Sequence, residues 1–310
     1  MSGTIVVFGA TGKQGGSVVE SLLQTTFHVK AITRNPASKN AQALSSKGVE
    51  VVQADLNDSE SLRTAIRGAY GVYAVTNFWE HLDGQKEIEQ GKRIADICVE
   101  EGVQHLVWSS LLNVTKLTNG VLSHVYHFDS KAEVEEYIRT LDIKATFFLP
   151  GFYMSNIAGM NLRQAPDGSG TRILALPILE TAPIPLFASE NDTGKFVKAI
   201  FLKREETLGK RIYGATAYTT PIEIVQVLRE ESSGAGQDVV YSQLPHDVFK
   251  GALGSLGMPE PVQEELLQNM RLMAEFGYYG GDSLGASIAI VDEPLTTWRE
   301  YVRASPALKA

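Results

Sequence analysis

Three glycines spaced three residues apart follow an apolar run near the start of the chain. The segment reads TIVVFGATGKQGGSVVESLL and places Gly9, Gly12 and Gly15 between that run and a stretch of helical periodicity. A phosphate held by backbone N–H groups needs residues without a Cβ, because a side chain would keep it away from the turn. A helix starting here adds unpaired N–H groups and partial positive charge. The pattern predicts a dinucleotide cradle; a tight turn without a ligand is the alternative.

The residue expected at the adenosine ribose is basic. In dinucleotide-binding folds an acid about 20 residues beyond the glycines binds the ribose 2′-hydroxyl. Here the chain reads AITRNP, with Arg34 and no acid. A guanidinium can pair with a 2′-phosphate, so NADP(H) is favoured over NAD, and Lys13 and Lys39 could reinforce the contact. The alternative for Arg34 is a solvated surface charge.

Asp55 ends a third apolar run, in VVQADLND. A short acceptor at a sheet edge could meet the adenine amino group, which is the interpretation we favour. The alternative is an N-cap for the following helix, a task that Asn57 or Asp58 could perform equally well.

Strand-like and helical segments alternate through the first half of the chain. The β-branched runs are TIVVFG, HVKAIT, VEVVQAD, GVYAVT, HLVWSS and KATFFLP, separated by segments of helical spacing. Such alternation implies right-handed βαβ units. The sequence therefore predicts an α/β fold, with a Rossmann-type doubly wound parallel sheet as an NADP-binding lobe over residues 1–150.

The pattern changes after Pro150. The turn cluster APDGSG and the proline-rich LPILETAPIPL precede helices with clear starts, among them a predicted capping box of Ser189 with Asp192. Residues 151–310 are predicted to form a smaller, mixed α/β lobe for a substrate or partner, with some exchange of chain between the lobes. We expect it to wall a cleft at the carboxyl edge of the sheet, where open α/β sheets bind ligands.

Composition disfavours several classes of partner. The 310 residues carry a formal charge of −8, which repels nucleic acid and anionic bilayers. No apolar run approaches the length of a membrane span, and the start lacks the pattern of a signal peptide. We expect a cytoplasmic protein, with the nucleus left open. The single cysteine, Cys98, excludes an intrachain disulfide and is predicted to be buried.

Histidines and glutamates suggest no metal site. His124 and His127 stand three apart with Asp129 close by, but nothing in the sequence offers a clear third ligand. The remaining histidines, His28, His81, His105 and His246, are predicted at the surface or at an edge. Glu133, Glu135 and Glu136 are predicted to form a solvated helix face.

Seven ordered motifs resemble the NmrA-like family, atypical relatives of the short-chain dehydrogenase/reductases. They are GATGKQG, ITRNP, VVQADLND, VTNFWE, EQGKRIAD, HFDSKAEVEEYIR and LPGFYMSN. The resemblance is strongest to the NADPH-binding redox sensors. It implies cofactor contacts at Gly9, Ala10, Thr11, Gly12, Lys13, Gln14, Arg34 with its turn, Asp55, Leu56, Thr76, Asn77, Phe78, Lys131, Tyr153, Met154, Ser155 and Asn156.

Catalysis is less clearly indicated. Typical short-chain dehydrogenases use a Tyr-x-x-x-Lys pair, but His127 stands four residues before Lys131, at which a helix is expected to begin. Tyr126 is one residue off that position and would face elsewhere. The missing phenol favours a redox-sensing regulator that acts through a protein partner.

The alternative is an NADPH-dependent oxidoreductase that reduces a small-molecule carbonyl, quinone or enone. Isoflavone-reductase-like relatives also lack the tyrosine, and their equivalent lysine is assigned the acid/base role. By that resemblance Lys131 would be the acid/base here. His127 could itself donate a proton near neutral pH.

Overall fold

Thirteen strands are seen in a computed structural model that describes residues 3–231 and 238–309. In chain order they are β1 (Thr4–Val7), β2 (His28–Thr33), β3 (Glu50–Gln53), β4 (Gly71–Ala74), β5 (His105–Ser109), β6 (Ala145–Pro150), β7 (Phe152–Tyr153), β8 (Leu162–Gln164), β9 (Arg172–Leu176), β10 (Ile184–Phe187), β11 (Arg211–Gly214), β12 (Ala217–Thr219) and β13 (Val239–Gln243). Seven of them form one sheet in the order β11-β6-β5-β4-β1-β2-β3. Its strand pairs are all parallel, so the predicted doubly wound sheet is confirmed.

Fifteen α-helices lie in the described ranges, and several of them cover the two faces of this sheet. They are α1 (Lys13–Leu22), α2 (Lys39–Ser46), α3 (Ser59–Ile66), α4 (Gly84–Glu100), α5 (Val114–Leu117), α6 (Tyr126–Ile138), α7 (Met154–Asn156), α8 (Ser189–Leu202), α9 (Arg204–Thr207), α10 (Pro221–Glu231), α11 (His246–Ser255), α12 (Glu260–Arg271), α13 (Gly285–Ile288), α14 (Trp298–Ala304) and α15 (Pro306–Lys309). Short turns of other helical types span Phe78–Glu80, Ile157–Asn161 and Leu272–Phe276. Within the described ranges, no helix combines the length and apolarity needed to cross a bilayer.

The alternation of side chains along β1 explains the two cores. Ile5 and Val7 belong to a cluster that includes residues of α1 and α8, whereas Val6 and Phe8 belong to the cluster on the opposite face. A strand buried on both faces reads as a continuous apolar run, which is why TIVVF is apolar throughout. Cys98 is buried in the second of these clusters, as predicted.

The strand order reverses beside β1, and this reversal locates the candidate site. β1 pairs with β2 on one side and with β4 on the other, with Val6 opposite both Lys30 and Val72. Successive strands therefore run outward in both directions from this point. In doubly wound sheets, the crevice at the carboxyl ends of such a pair binds the ligand.

The chain beyond Pro150 returns to the large sheet. β11 pairs with β6, with Ile212 opposite Phe148, and α8 packs on α1. The rest of the second half contains two three-stranded sheets, β12-β10-β7 and β13-β9-β8. The boundary between residues 150 and 151 stays a prediction. The predicted capping box is wrong: α8 begins at Ser189 after Ala188, and the Asp192 carboxylate instead binds Lys195 and Thr296.

Two side chains predicted to be exposed are buried. His105 lies on the central strand β5 with Nε2 2.9 Å from Thr146 Oγ1, and burial lowers the pKa of His105 to about 3. Glu135 accepts hydrogen bonds from Ser110 (2.6 Å) and Arg211 (2.7 Å). Neither burial shows in the local sequence, because the partners come from distant segments.

Candidate cofactor site and active site

A cleft of about 1090 Å³ lies at the carboxyl edge of the large sheet. Many of the predicted site residues line it: Gly9, Thr11, Gly12, Lys13, Gln14, Gly15, Arg34, Asp55, Leu56, Thr76, Asn77, Phe78, His127, Lys131, Tyr153 and Asn156. Four others, Ala10, Lys39, Met154 and Ser155, are not among its lining residues. The cleft therefore brings the glycine turn and the His127–Lys131 pair into one continuous space.

The glycine turn joins β1 to α1 by direct backbone packing. Gly9 has φ +61°, a left-handed conformation that glycine adopts without strain. A Cβ on Gly15 would lie 2.3 Å from the carbonyl oxygen of Gly9, and one on Gly12 would lie 3.3 Å from the same oxygen. Side chains at these positions would push the helix away from the turn.

The first turn of α1 is left open. Ser38, Asp58 and Asp83 accept hydrogen bonds from the first turns of α2, α3 and α4. In contrast, Gly12 caps α1 without a side chain, and the first turn of α1 holds no acid. Its N–H groups are directed to the cleft edge, where they and the partial positive charge of the helix fit a phosphate group.

The cradle is tied to the segment after β6. Gln14 donates to the Tyr153 hydroxyl at 2.6 Å, and its amide oxygen accepts from Tyr73 (2.5 Å) and Ser109 (2.9 Å). Lys13 Nζ donates to Ser155 Oγ at 2.7 Å. Burial raises the pKa of both Tyr73 and Tyr153, so these phenols stay protonated and serve as hydrogen-bonding groups.

Arg34 faces a carboxylate rather than open solvent. Its two terminal nitrogens pair with the two oxygens of Glu80, Nη2 at 3.0 Å from Oε2. The pairing raises the pKa of Arg34 and lowers that of Glu80. The Arg34 side chain is nevertheless 58% exposed, so a ligand in the cleft can reach it.

Asp55 and Leu56 follow β3 at the same edge. Asp55 Oδ1 accepts from both nitrogens of Asn57 at 2.8 Å, and Asp58 rather than Asp55 caps α3. The carbonyl oxygen of Leu56 accepts from Arg93 Nη1 at 2.6 Å. The capping alternative for Asp55 is thus wrong, while contact with adenine stays a prediction.

Lys131 lies in a buried polar cluster. Its Nζ donates to Glu87 Oε1 at 2.5 Å, Thr76 Oγ1 at 2.9 Å and Thr76 O at 3.2 Å. Thr76 and Ser130 also donate to the carboxylate of Glu87, which is 2% exposed. Burial by itself would raise the pKa of Glu87, but the Lys131 charge and these hydrogen bonds hold it below the usual value. The lysine is therefore held firmly at the end of β4.

His127 pairs with a carboxylate from the second half of the chain. Its Nδ1 lies 2.7 Å from Oε1 of Glu265, a residue of α12 that is 2% exposed. α6 begins at Tyr126 and not, as predicted, at Lys131, so His127 and Lys131 stand one helical turn apart. Glu265 was missed because it lies 138 residues from His127 and no local pattern marks it.

Aromatic rings surround His127. Ring centroids lie 4.9 Å away for Trp79, 4.8 Å for Phe128 and 6.0 Å for Phe78. Beyond them the cleft is lined by apolar residues of the second half: Leu256, Met258, Pro259, Val262, Leu266 and Met270. This end of the cleft can exclude water from a reaction and suits an apolar ligand.

The histidine pair does not form a metal site. His124 Nδ1 bonds to Gln268 at 3.0 Å, whereas His127 bonds to Glu265. Among residues 3–231 and 238–309, no group of three or more His, Cys, Asp or Glu side chains could hold a metal ion.

Comparison with known proteins gives consistent results. Residues 1–302 match the NmrA-like family. The NmrA-like family domain-containing oxidoreductase cpsB of Aspergillus campestris is 32% identical over 98% of this chain and 89% of its own length. Among solved structures, the negative transcriptional regulator NmrA in complex with NADP is 22% identical with a TM-score of 0.83, covering 98% of this chain and 95% of NmrA. An NADPH-dependent quinone oxidoreductase from Escherichia coli, complexed with NADPH, is 24% identical with a TM-score of 0.76, covering 96% and 98%.

Proposed function

The chain belongs to the NmrA-like family, and from that premise we propose that it is an NADP(H)-dependent oxidoreductase that reduces an apolar carbonyl, quinone or enone. The observation that supports this most is the pairing of His127 with the buried Glu265, because His127 lines the same cleft as the glycine turn. Relatives such as cpsB are named oxidoreductases, and the quinone oxidoreductase and NmrA were solved with NADPH and NADP.

The residues present fit the cofactor along the cleft. The open turn of α1 would hold the pyrophosphate, and Arg34 would pair with the 2′-phosphate. The segment Thr76 to Phe78 would lie along the middle of the cofactor, with Lys131 near the nicotinamide ribose. When bound in this orientation, a reduced nicotinamide supplies a hydride to the substrate carbon.

His127 is the residue we assign as proton donor. Nδ1 hydrogen-bonds to Glu265, which leaves Nε2 as the nitrogen able to serve the cleft. A buried carboxylate on the far nitrogen orients the imidazole, as in other histidine–carboxylate pairs. Nε2 would donate the proton that the substrate oxygen needs once its carbon has accepted the hydride.

Lys131 serves as a positioning residue in this proposal. Its Nζ already donates hydrogen bonds to Glu87 and Thr76, so loss of a proton from the ammonium would break a buried ion pair. The ammonium instead fixes the backbone of Thr76, which lies at the cleft wall.

The test combines a substrate panel with two histidine variants. Purified protein is mixed with NADPH and a series of carbonyls, quinones and enones, and loss of NADPH absorbance is followed. For an active compound, His127→Gln should lower kcat by about 100-fold, the lower range for general acid catalysis, without changing the Kd of NADPH. His124→Gln is the matched control, because His124 bonds to Gln268 and does not line the cleft.

Two results would contradict the proposal, the first the reductase itself and the second the role of His127. One is silence of the whole panel with NADPH bound. The other is an active compound on which His127→Gln keeps the full rate, since this would remove the assigned proton donor. An intermediate check is Glu265→Gln, for which we expect a smaller loss of kcat because the imidazole is still present but less well oriented.

A redox-sensing regulator is the second candidate, favoured by Lys131. The usual phenol is missing, Tyr126 is 42% exposed at the start of α6, and the ammonium of Lys131 is neutralised by Glu87. In this case cofactor binding would shift the cleft surface toward a conformation that binds a protein partner. Direct contact with nucleic acid is not part of this proposal, because the chain carries a charge of −8. The proposed location is the cytoplasm, with the nucleus also open.

The regulator has its own test. NADPH and NADP+ are titrated separately, and protease susceptibility is compared in each complex. A sensor must bind the two forms with different affinity or protect the chain differently, because a ligand shifts an equilibrium only through differential affinity. Equal affinity and equal protection would exclude redox sensing.

A further inference from the structure

We propose that Glu80 is an internal competitor of the cofactor's 2′-phosphate. Its carboxylate occupies the Arg34 guanidinium until a 2′-phosphorylated adenosine displaces it. The inference rests on the proposed binding of NADP(H), and it adds a residue that sets how strongly the site prefers NADP(H) over NAD(H). It also predicts that the two cofactors leave the neighbouring turn in different states.

The geometry places the carboxylate where an anionic ligand would bind. Both terminal nitrogens of Arg34 point to Glu80, an arrangement that a phosphate with two oxygens would otherwise adopt. Both residues line the cleft, and both are partly exposed, 58% for Arg34 and 33% for Glu80. A phosphate can therefore approach the pair from solvent.

Charge makes coexistence of the two anions unfavourable. Asp55 lies close enough to Arg34 to act on its pKa, so the guanidinium already has a second acid nearby. A dianionic phosphate added beside Glu80 and Asp55 would repel both carboxylates. A displaced Glu80 would still have cationic neighbours, because His81 Nε2 lies 3.7 Å from its Oε1 and Lys86 also acts on its pKa.

The turn that holds Glu80 also carries two of the rings around His127. Phe78 and Trp79 precede Glu80 within the single turn Phe78–Glu80 and pack edge to face, with their ring centroids 5.3 Å apart. Trp79 lies 4.9 Å from the His127 ring and is 44% exposed. Movement of Glu80 would therefore change the contacts of the proposed proton donor, at the other end of the cleft.

The backbone beside the turn is held in an uncommon conformation. Leu82 has φ +54°, a left-handed value that residues other than glycine, asparagine and aspartate rarely adopt. The N–H of Leu82 donates to the carbonyl of Phe78 at 2.8 Å. Strain of this kind persists only where other contacts hold it, and the Arg34–Glu80 pair is one such contact. Displacement of Glu80 would free the turn to relax.

The first measurement compares dissociation constants of NADP+ and NAD+ by calorimetry. Glu80→Gln should tighten NADP+ by about fivefold, the upper value for an exposed ion pair, and leave NAD+ unchanged. In an Arg34→Ala background, Glu80→Gln should no longer affect NADP+. Glu89→Gln is the matched control for net charge, because Glu89 is exposed on α4 and does not line the cleft.

The outcomes distinguish failure of the role proposed for Glu80 from failure of the proposed cofactor. Unchanged NADP+ affinity in Glu80→Gln, or equal tightening of NAD+, would overturn the competitor. Equal tightening by Glu89→Gln would reduce the effect to net charge and overturn it too. Binding of neither dinucleotide by the wild-type protein would instead contradict the proposed cofactor, which is a different failure.

The second measurement follows Trp79. Adenosine 2′,5′-bisphosphate carries the 2′-phosphate but no nicotinamide, and AMP lacks the 2′-phosphate. We expect the bisphosphate to change tryptophan emission and AMP not to, with the difference lost in Trp79→Phe and in Glu80→Gln. The same change with both nucleotides, or a change that persists in Trp79→Phe, would contradict the coupling of the turn to the 2′-phosphate.

Discussion

The two ends of the cleft differ in how far their charged side chains are exposed to solvent. The adenosine end consists of strand ends and turns whose charged groups, Arg34 and Glu80, are partly exposed. The reaction end consists of ionised side chains that are almost entirely buried, with Glu87 and Glu265 each 2% exposed. Charges at the first end are screened by solvent, whereas those at the second end must be paired for the chain to fold.

This difference separates binding from stability. At the adenosine end a charge can be removed with little effect on folding, so its removal should act mainly on affinity and cofactor choice. At the reaction end the same kind of change leaves a buried charge without its partner. We therefore expect a variant that leaves a buried charge unpaired to lose stability, whereas neutral replacements such as His127→Gln are the ones that report on chemistry.

The largest expected effect tests the buried pair. Lys131→Met removes the ammonium and leaves the Glu87 carboxylate buried with only hydroxyl donors. Breaking such a pair destabilises a protein by about 3–5 kcal/mol. Urea denaturation followed by circular dichroism measures this difference as a change in the free energy of unfolding.

Lys116→Met is the matched control. Lys116 pairs with Glu136, which lies on the same helix as Lys131. The Lys116 and Glu136 side chains are 66% and 44% exposed. Loss of this pair should change the free energy of unfolding by less than about 1 kcal/mol. Equal losses of unfolding free energy for Lys131→Met and Lys116→Met would contradict the distinction between buried and exposed charges that separates the two ends of the cleft.

The next effect concerns the glycine turn, in which the buried Gly15 packs against the backbone of Gly9. Gly15→Ala would place a Cβ 2.3 Å from the carbonyl oxygen of Gly9, so the helix must shift from the turn. Overpacking of this size costs about 1–3 kcal/mol, and we expect NADP+ affinity to fall with it. Thermal unfolding and calorimetry report the two quantities separately.

Gly16→Ala controls for the loss of a glycine. The nearest atom to a Cβ on Gly16 is the carbonyl oxygen of Ala10, at an ordinary contact distance of 3.4 Å. This variant should keep both stability and affinity close to wild type. If Gly15→Ala behaves in the same way, close packing of the turn against α1 does not shape the cradle.

A smaller effect separates the two basic residues predicted for the 2′-phosphate. Arg34→Ala should weaken NADP+ by about tenfold and leave NAD+ within a factor of two, because a guanidinium–phosphate contact is charge-assisted and bidentate. Lys39→Ala should change neither by more than about twofold, since Lys39 does not line the cleft. Equal losses of NADP+ affinity for both variants would mean that the 2′-phosphate lies nearer to α2 than contact with Arg34 alone requires.

The adenosine half could be predicted from the sequence because its residues follow one another along strands and turns. Gly9 to Gly15 and Arg34 each stand at a strand end, where parallel strands deliver their carboxyl termini to one edge. Six of the seven strands of the large sheet were predicted from apolar runs. The seventh, β11, was not, because its residues Arg211 to Gly214 form a short edge strand after a long excursion of the chain.

The reaction end could be predicted only in part. His127 and Lys131 are neighbours on a helix, so their spacing is visible in the sequence. Their carboxylate partners are not visible, because Glu265 comes from α12 and Glu87 from α4, and each reads as one of many surface acids on an amphipathic helix. Glu80 was missed for the same reason: its partner, Arg34, is 46 residues away.

The smallest effect in this series is the contribution of Glu87 to acid stability. The pKa of Glu87 is lower in the folded protein than its usual value of 4.5, so its stabilisation is fully present above that value. The advantage of the wild-type chain over Glu87→Gln should therefore be constant from pH 7 to about pH 5 and shrink as the pH falls through the lowered pKa. Free energies of unfolding measured from pH 7 to pH 3 give this difference, which we expect to shrink toward the acid end of the range. In a Lys131→Met background burial acts against the charged Glu87 carboxylate without the opposing ammonium, so the difference should no longer shrink toward low pH. With Lys131 in place, a difference that grows toward low pH would contradict the buried ion pair.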